Sequence, residues 1–257
     1  MLEVINISKT FNPGTVNEKK ALRGLNLTLA DGDFVTVIGG NGAGKSTLLN
    51  AIAGTWRVDE GKILIDGRDV TMLSEHKRAA FLGRVFQDPM NGTAATMGIE
   101  ENLALALRRG HRRTLKSGIV NSERKLYRDL LAKLNLGLEN RLTSKVGLLS
   151  GGQRQALTLL MATLEKPKLL LLDEHTAALD PKTAAKVLET TETIVNQDRL
   201  TTLMITHNMR DAIHIGNRLI MMNDGQIIYD VSGEEKKKLT VEDLLHKFAE
   251  ARGGSFA

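Results

Sequence analysis

The chain has 257 residues, no cysteine, 42% hydrophobic and 25% charged residues, and a formal net charge of +5. This excludes a disulfide scaffold and a cysteine-based metal site, and no apolar run approaches the roughly 18–20 residues of a bilayer span. The mildly basic balance suits anionic ligands, a membrane surface or nucleic acid and selects none of them. The opening MLEVINISKTF carries no apolar signal core, so the expectation is a cytoplasmic protein.

In chain order, LEVINISKTF (2–11) and ALRGLNLTLADG (21–32) read as strands joined by a polar loop. FVTVIG (34–39) is a short apolar run, and KSTLLNAIAG (45–54) after it has helical spacing. KILIDGRDV (62–70) reads as strand–turn–strand about Asp66-Gly67. IEENLALALRRG (99–110) and SERKLYRDLLAKLNL (122–136) are helical, the second opening on an imperfect cap, Ser122 followed by Lys125. LLSGGQRQAL (148–157) sets a serine and two glycines before a further helix. KLLLLDE (168–174) and TTLMITH (201–207) are apolar strands followed by helical KTAAKVLETTETIVNQ (182–197) and MRDAIHIGN (209–217). LIMMNDGQIIYD (219–230) is a second strand–turn–strand piece, turning at Asp224-Gly225. TVEDLLHKFAEARGG (240–254) is a last helix, opened by a Thr-x-x-Asp cap and closed by two glycines.

Apolar strands alternating with helices predict a parallel α/β sheet. The first two strands, with 62–70 and 219–230, predict an antiparallel β layer beside it, and 90–148 a helical insertion. The basic run RRGHRRTLK (108–116) reads as a solvated loop, with a contact to anionic lipid headgroups or a partner's acidic loop as the functional alternative. EEKKKL (234–239) reads as a solvated surface run.

GGNGAGKST (39–47) matches G-x-x-x-x-G-K-[ST] between a predicted strand and helix, the context this phosphate-binding motif requires. Gly39, Gly42 and Gly44 let backbone N–H groups crowd a phosphate. Lys45 would reach the β- and γ-phosphates, and the Ser46 hydroxyl would ligate Mg²⁺. At the end of the 168–174 strand, Asp173 would hold Mg²⁺ through water and Glu174 would polarise the attacking water.

These segments, with Gln87 in VFQDP (85–89), LSGGQ (149–153), AALD (177–180) and His207 in ITH, resemble the ATP-binding subunits of ABC transporters, in family order over about residues 1–230. The resemblance implies an α/β phosphate-loop (RecA-like) core with a parallel sheet, an antiparallel β subdomain and a helical subdomain. It divides one domain of 1–257 into a core (1–88 and 154–235), a helical lobe with LSGGQ (89–153) and a C-terminal tail (236–257). ATP and Mg²⁺ are the implied cofactors, and the implied ATP grip adds Gly40, Asn41, Ala43 and Thr47 of the loop. A second copy closes head to tail on the first, so that Ser150, Gly151 and Gly152, with Gln153 completing the motif, grip the γ-phosphate held by the other copy.

Carried over by position, Gln87 contacts Mg²⁺ and water and senses the membrane partner, Asp180 crosses the dimer interface, His207 meets the γ-phosphate, and Phe11 stacks on adenine. Gly40 replaces a frequent proline or serine, and position 58 lacks a frequent proline. His175 stands where proline is usual, which leaves the loop after Glu174 less restrained. The implied setting is the inner face of the membrane, docked on separate permease subunits, importing a small and amino-acid-like solute, with a solute-binding protein as an indirect partner. Export, and a soluble ATPase acting on nucleic acid or the ribosome, are the alternatives; one phosphate loop and no long coiled coil weigh against the latter.

Overall fold

The computed structural model describes residues 1–111 and 118–251. Its strands are β1 (Leu2–Phe11), β2 (Lys19–Leu29), β3 (Phe34–Gly39), β4 (Glu60–Ile65), β5 (Arg68–Asp69), β6 (Leu82–Val85), β7 (Leu169–Asp173), β8 (Thr202–Ile205), β9 (Arg218–Asn223) and β10 (Gln226–Ser232). Its helices are α1 (Lys45–Ala53), α2 (Glu75–Arg78), α3 (Ile99–Leu107), α4 (Asn121–Ala132), α5 (Gly151–Thr163), α6 (Pro181–Asp198), α7 (Met209–His214), α8 (Gly233–Lys237) and α9 (Val241–Ala251).

Two sheets result. One is antiparallel, in the order β2-β1-β4-β5, and the other runs β10-β9-β3-β8-β7-β6. In the second, β6, β7, β8, β3 and β9 are mutually parallel and β10 alone is antiparallel, at the edge. The strand pair of 219–230 therefore belongs to the parallel sheet, not to the separate antiparallel layer. Its hairpin turn reads the same either way, and only the pairing of β9 with β3 decides which sheet receives it.

Each central strand is apolar on both faces, as burial on both faces requires. Leu169 and Leu171 of β7 join the cluster that α1 and the antiparallel sheet share, whereas Leu170 and Leu172 join the cluster under α5 and α6. A third cluster fills the helical lobe, from Ile99 of α3 through Tyr127 and Leu131 of α4 to Leu160 of α5. A division at 153/154 falls inside α5.

Strand β6 has no counterpart in the sequence reading. Gly83 and Arg84 break its apolar run, and its strand state comes from pairing with β7. A Cβ at Gly83 would stand 2.5 Å from the Ala162 carbonyl oxygen, so the strand lies hard against α5. Helix α4 starts at Asn121, and its start is closed by the Glu123 carboxylate accepting the Val120 N–H at 3.2 Å, in place of a Ser122 cap. The Thr240–Asp243 cap of α9 is present, with Asp243 N–H donating to Thr240 Oγ1 at 3.2 Å and Thr240 N–H to the Asp243 carboxylate at 2.8 Å. The glycines expected to close this helix lie outside the described residues.

Arg78 is fully buried and serves the C-terminal end of α1, where a cation is favoured by the helix dipole. Its guanidinium donates to the carbonyls of Ala51 (2.7 Å), Ile52 (2.8 Å), Thr71 (2.9 Å) and Leu73 (2.9 Å).

The run 234–239 is not wholly solvated. Lys236 is 1% exposed, and its ammonium donates to the carbonyls of Ile215 and Gly216, past the end of α7. Short α8 turns this one lysine inward while its neighbours stay outside. Burial pushes the Lys236 amine down to about 8, with Glu192 pulling the other way. Below pH 8 the amine is charged folded and unfolded, so the cost of burying the charge is fully present. Above it the folded protein releases a proton that the unfolded chain keeps, and stability rises with pH. Between pH 8 and 10, the stability of the wild type relative to Lys236→Gln should rise by up to ~1.4 kcal/mol per pH unit, measured by urea unfolding. A gap that is flat or shrinks contradicts this.

Candidate functional site

Residues 40–44 carry the chain from the end of β3 into α1. Gly44 has left-handed backbone (φ +99°), and a Cβ there would stand 2.5 Å from the Ala21 carbonyl oxygen, so the turn needs glycine. Lys45 folds back under the loop, and its Nζ donates to the carbonyls of Gly39 (2.7 Å) and Gly40 (3.2 Å). Burial lowers the Lys45 ammonium from its usual range, and the Glu174 and Asp173 carboxylates pull it back up. A cavity of about 280 Å³ opens over this loop, lined by Phe11, Lys19, Ala21, residues 41–47, Glu174 and His207. Its basic and N–H-rich floor, at a helix start, suits phosphate.

The carboxylates arrive from β7. Asp173 ends the strand in register with Ile205 of β8, which brings Glu174 and His207 together beyond the C-terminal ends of these neighbouring parallel strands. Glu174 is also left-handed (φ +46°), its N–H donating to Ile205 O at 3.0 Å and its carbonyl accepting the Ala177 N–H at 2.9 Å. His207 Nε2 lies 2.5 Å from Glu174 Oε1; the glutamate is 11% exposed and the histidine 48%. Burial raises the Asp173 carboxyl, and Arg84, 3.9 Å away, is the main opposing influence.

The loop after Glu174 is more restrained than its missing proline implies. His175 is 2% exposed, and its Nε2 is 3.1 Å from the Thr191 hydroxyl, which itself donates to Val187 O at 2.8 Å. With the hydroxyl proton so committed, His175 Nε2–H is the donor. The turn is pinned to α6 by a side chain in place of a fixed φ. Burial holds this imidazole down to about 4, so it is neutral at physiological pH.

Phe11 ends β1 directly opposite Lys19 of β2, and its ring meets Trp56 edge-on with centroids 4.8 Å apart. The remaining sequence-derived residues do not line the cavity. Gln87 is exposed just beyond β6, and Asp173 is absent from the cavity lining. Ser150 caps α5, its Oγ accepting the Gln153 N–H at 3.3 Å while Gln153 Oε1 accepts the Ser150 N–H at 3.2 Å. Gly152 is buried, and a Cβ on it would strike Thr183 of α6, so packing requires that glycine. Asp180 caps α6, accepting the Thr183 N–H at 3.1 Å, and an added Cβ on Gly151 would touch Leu179 at 3.2 Å. The serine–glycine turn and the 177–180 loop therefore sit together, apart from the phosphate loop of the same chain.

Sequence reasoning missed Lys19, Trp56 and Arg84. The first two reach the cavity or Phe11 through strand register and loop return, which leave no local signal.

Among the described residues no cluster of three His, Cys, Asp or Glu side chains can hold a metal. The nearby donors, the Ser46 hydroxyl and the Asp173 carboxylate, are oxygens. That set fits Mg²⁺ held by one or two side chains together with phosphates and water. The described part of the basic run is engaged internally: Arg108 pairs with Glu123 at 2.9 Å, and Arg109 donates to the carbonyls of Ala162 (3.1 Å) and Glu165 (2.7 Å). Residues 112–116 of that run lie outside the described residues. No helix among the described residues is long and apolar enough to cross a membrane.

The model of the ABC transporter family matches residues 22–177. A tyrosine transport ATP-binding protein of Clostridioides difficile is 47% identical over 96% of this chain and 98% of its own length. A methionine import ATP-binding protein of Rhizobium johnstonii is 38% identical over 81% of this chain and 56% of its own length. The dimeric post-hydrolysis state of an ATP-binding cassette bound to ADP and Pi superposes with a TM-score of 0.77 at 29% identity, covering 90% of this chain and 98% of that one.

Phe11→Ala should weaken nucleotide binding by about tenfold, the worth of one stacked base, with little change in thermal stability. Fluorescent-nucleotide titration checks this; unchanged affinity would remove Phe11 from the site.

Proposed function

The chain belongs to the ABC transporter family as an ATP-binding, ATP-hydrolysing subunit, and from that premise we propose that it powers uptake of an amino-acid-like solute through separate permease subunits. The observation that carries the catalytic part is the meeting of the phosphate loop, Glu174 and His207 in one cavity. The solute class rests on the tyrosine and methionine transport relatives.

The chemistry follows from the groups present. A triphosphate entering the cavity offers Lys45 phosphate oxygens in place of the Gly39 and Gly40 carbonyls, and the loop N–H groups take the remaining charge. Glu174, at the mouth of β7, accepts a proton from the water that attacks the γ-phosphate. That carboxylate lies 2.5 Å from His207 Nε2. A γ-phosphate competes for the same imidazole nitrogen, so its arrival turns His207 toward phosphate and frees the base. Ser46 and Asp173 would hold Mg²⁺, which supplies neutralisation of charge on the β- and γ-phosphates. Gln87, exposed between β6 and the helical lobe, would report on these changes to a docked permease.

Ser150, Gly151, Gly152, Gln153 and Asp180 are proposed to serve the ATP held by a second copy. Their separation from the phosphate loop of their own chain supports this, as does the dimeric state of the related cassette. Each closed dimer would then bury two ATP molecules, and hydrolysis would part the copies by removing a shared phosphate. Lacking a membrane-spanning helix among its described residues, the chain would work at the inner membrane face through its permease.

Glu174→Gln should bind ATP with near wild-type affinity and turn over about 10²–10⁴-fold more slowly. Phosphate release and equilibrium ATP binding, measured on one preparation, check both halves. Wild-type turnover would remove Glu174 as the base.

A further inference from the structure

Arg84 breaks the pattern of its own strand. Leu82 and Arg84 of β6 stand in register with Leu169 and Leu171 of β7. Those leucines all belong to the cluster under α1, so alternation places Arg84 at a position on that apolar face. The side chain is 14% exposed, and its Nε is buried with no hydrogen-bond partner among the described residues. A buried guanidinium with an unmet donor is costly, and such exceptions concentrate where function requires them.

Its remaining contacts converge on the nucleotide site. Nη2 donates to Asn50 Oδ1 of α1 at 2.7 Å and stands 3.9 Å from Asp173 Oδ2. Nη1 donates to Thr55 Oγ1 at 3.1 Å and lies 3.5 Å from Glu75 Oε1. The guanidinium also covers the ring of Phe86, the residue before Gln87, at 4.5 Å from its centroid. On its outer side Arg84 lines, with Phe86 and His76, a groove of about 1100 Å³ between the core and the helical lobe.

We propose that Arg84 is a positioning residue of the ATP site, an internal counter-cation that holds Asp173 in place and competes with a divalent cation for it. This rests on the reading of Asp173 as the metal-facing carboxylate. Among the described residues no hydrogen bond holds the aspartate side chain, and of the cations around it the guanidinium does most to stabilise its charged form against burial. Glu75 and Asp173 share this one cation, so whatever draws Arg84 toward Glu75 frees Asp173.

The test needs no turnover. The chain is held in excess ADP, Mg²⁺ is titrated in, and the half-saturating Mg²⁺ concentration is read from the thermal unfolding midpoint. Arg84→Met should lower that concentration by about 3- to 10-fold, the worth of one half-buried charge. A merely structural role predicts the opposite sign, since a disordered Asp173 captures metal less well. Glu75→Gln, on a side chain 53% exposed, should raise the requirement about twofold by leaving Asp173 as the carboxylate beside Arg84, and it decides the matter if Arg84→Met fails to fold. An unchanged or raised requirement in Arg84→Met, or an unchanged or lowered one in Glu75→Gln, overturns the proposal. Asp173→Asn separates the two layers. If it raises the Mg²⁺ requirement while Arg84→Met does nothing, the proposal alone fails; if Asp173→Asn itself does nothing, the reading of Asp173 fails and the proposal with it.

Discussion

The buried ammonium of Lys45 is the constraint around which the site is arranged. A cation in that position needs fixed acceptors, and it finds them in the Gly39 and Gly40 carbonyls at the end of β3. The central strand, flanked by β8 and β9, holds those carbonyls still. The left-handed Gly44 then lets α1 start within reach of Ala21, and this ties the antiparallel sheet to the parallel one at the same point. Position and charge are therefore set together: Asp173 and Glu174 come to the ammonium because β7 is one strand beyond β8.

Around that ammonium, polar groups of the site have partners within the chain. Lys45 has carbonyls, Glu174 has His207, and Asp173 has Arg84. Each pairing uses a group that a triphosphate, or a divalent cation bound with it, would claim, so nucleotide binding would exchange internal partners for those of the ligand. Such exchange costs little reorganisation of the backbone, since Glu174 and His175 are anchored by Ile205 and Thr191 in advance.

Much of this was legible in the sequence, for identifiable reasons. The phosphate loop and the strands at 34–39, 168–174 and 201–207 declare themselves locally, through glycine spacing and continuous apolar runs. What stayed hidden depends on pairing over long distances. Strand β6 carries a glycine and an arginine and is a strand because β7 lies beside it. The 219–230 hairpin has the same local pattern in either sheet. Lys19 faces the cavity by register with Phe11. Lys236 looks like one more surface lysine, and His175 like a loosened loop, until α6 and α7 are in place around them. For Ser150 to Gln153 the chain shows caps and close packing, and the nucleotide they are proposed to contact belongs to another copy.

That last point is the central claim: a single chain holds two halves of two different sites. It is tested most directly by the solution mass, from light scattering, of Glu174→Gln with Mg-ATP and with Mg-ADP, alone and combined with Ser150→Arg. The account predicts a dimer in ATP, a monomer in ADP, and a monomer in both once Ser150→Arg is present, with ATP still bound by each copy. Loss of the α5 cap costs about 1 kcal/mol and leaves the fold intact. An ATP-dependent dimer that survives Ser150→Arg, or one mass in both nucleotides, would contradict it.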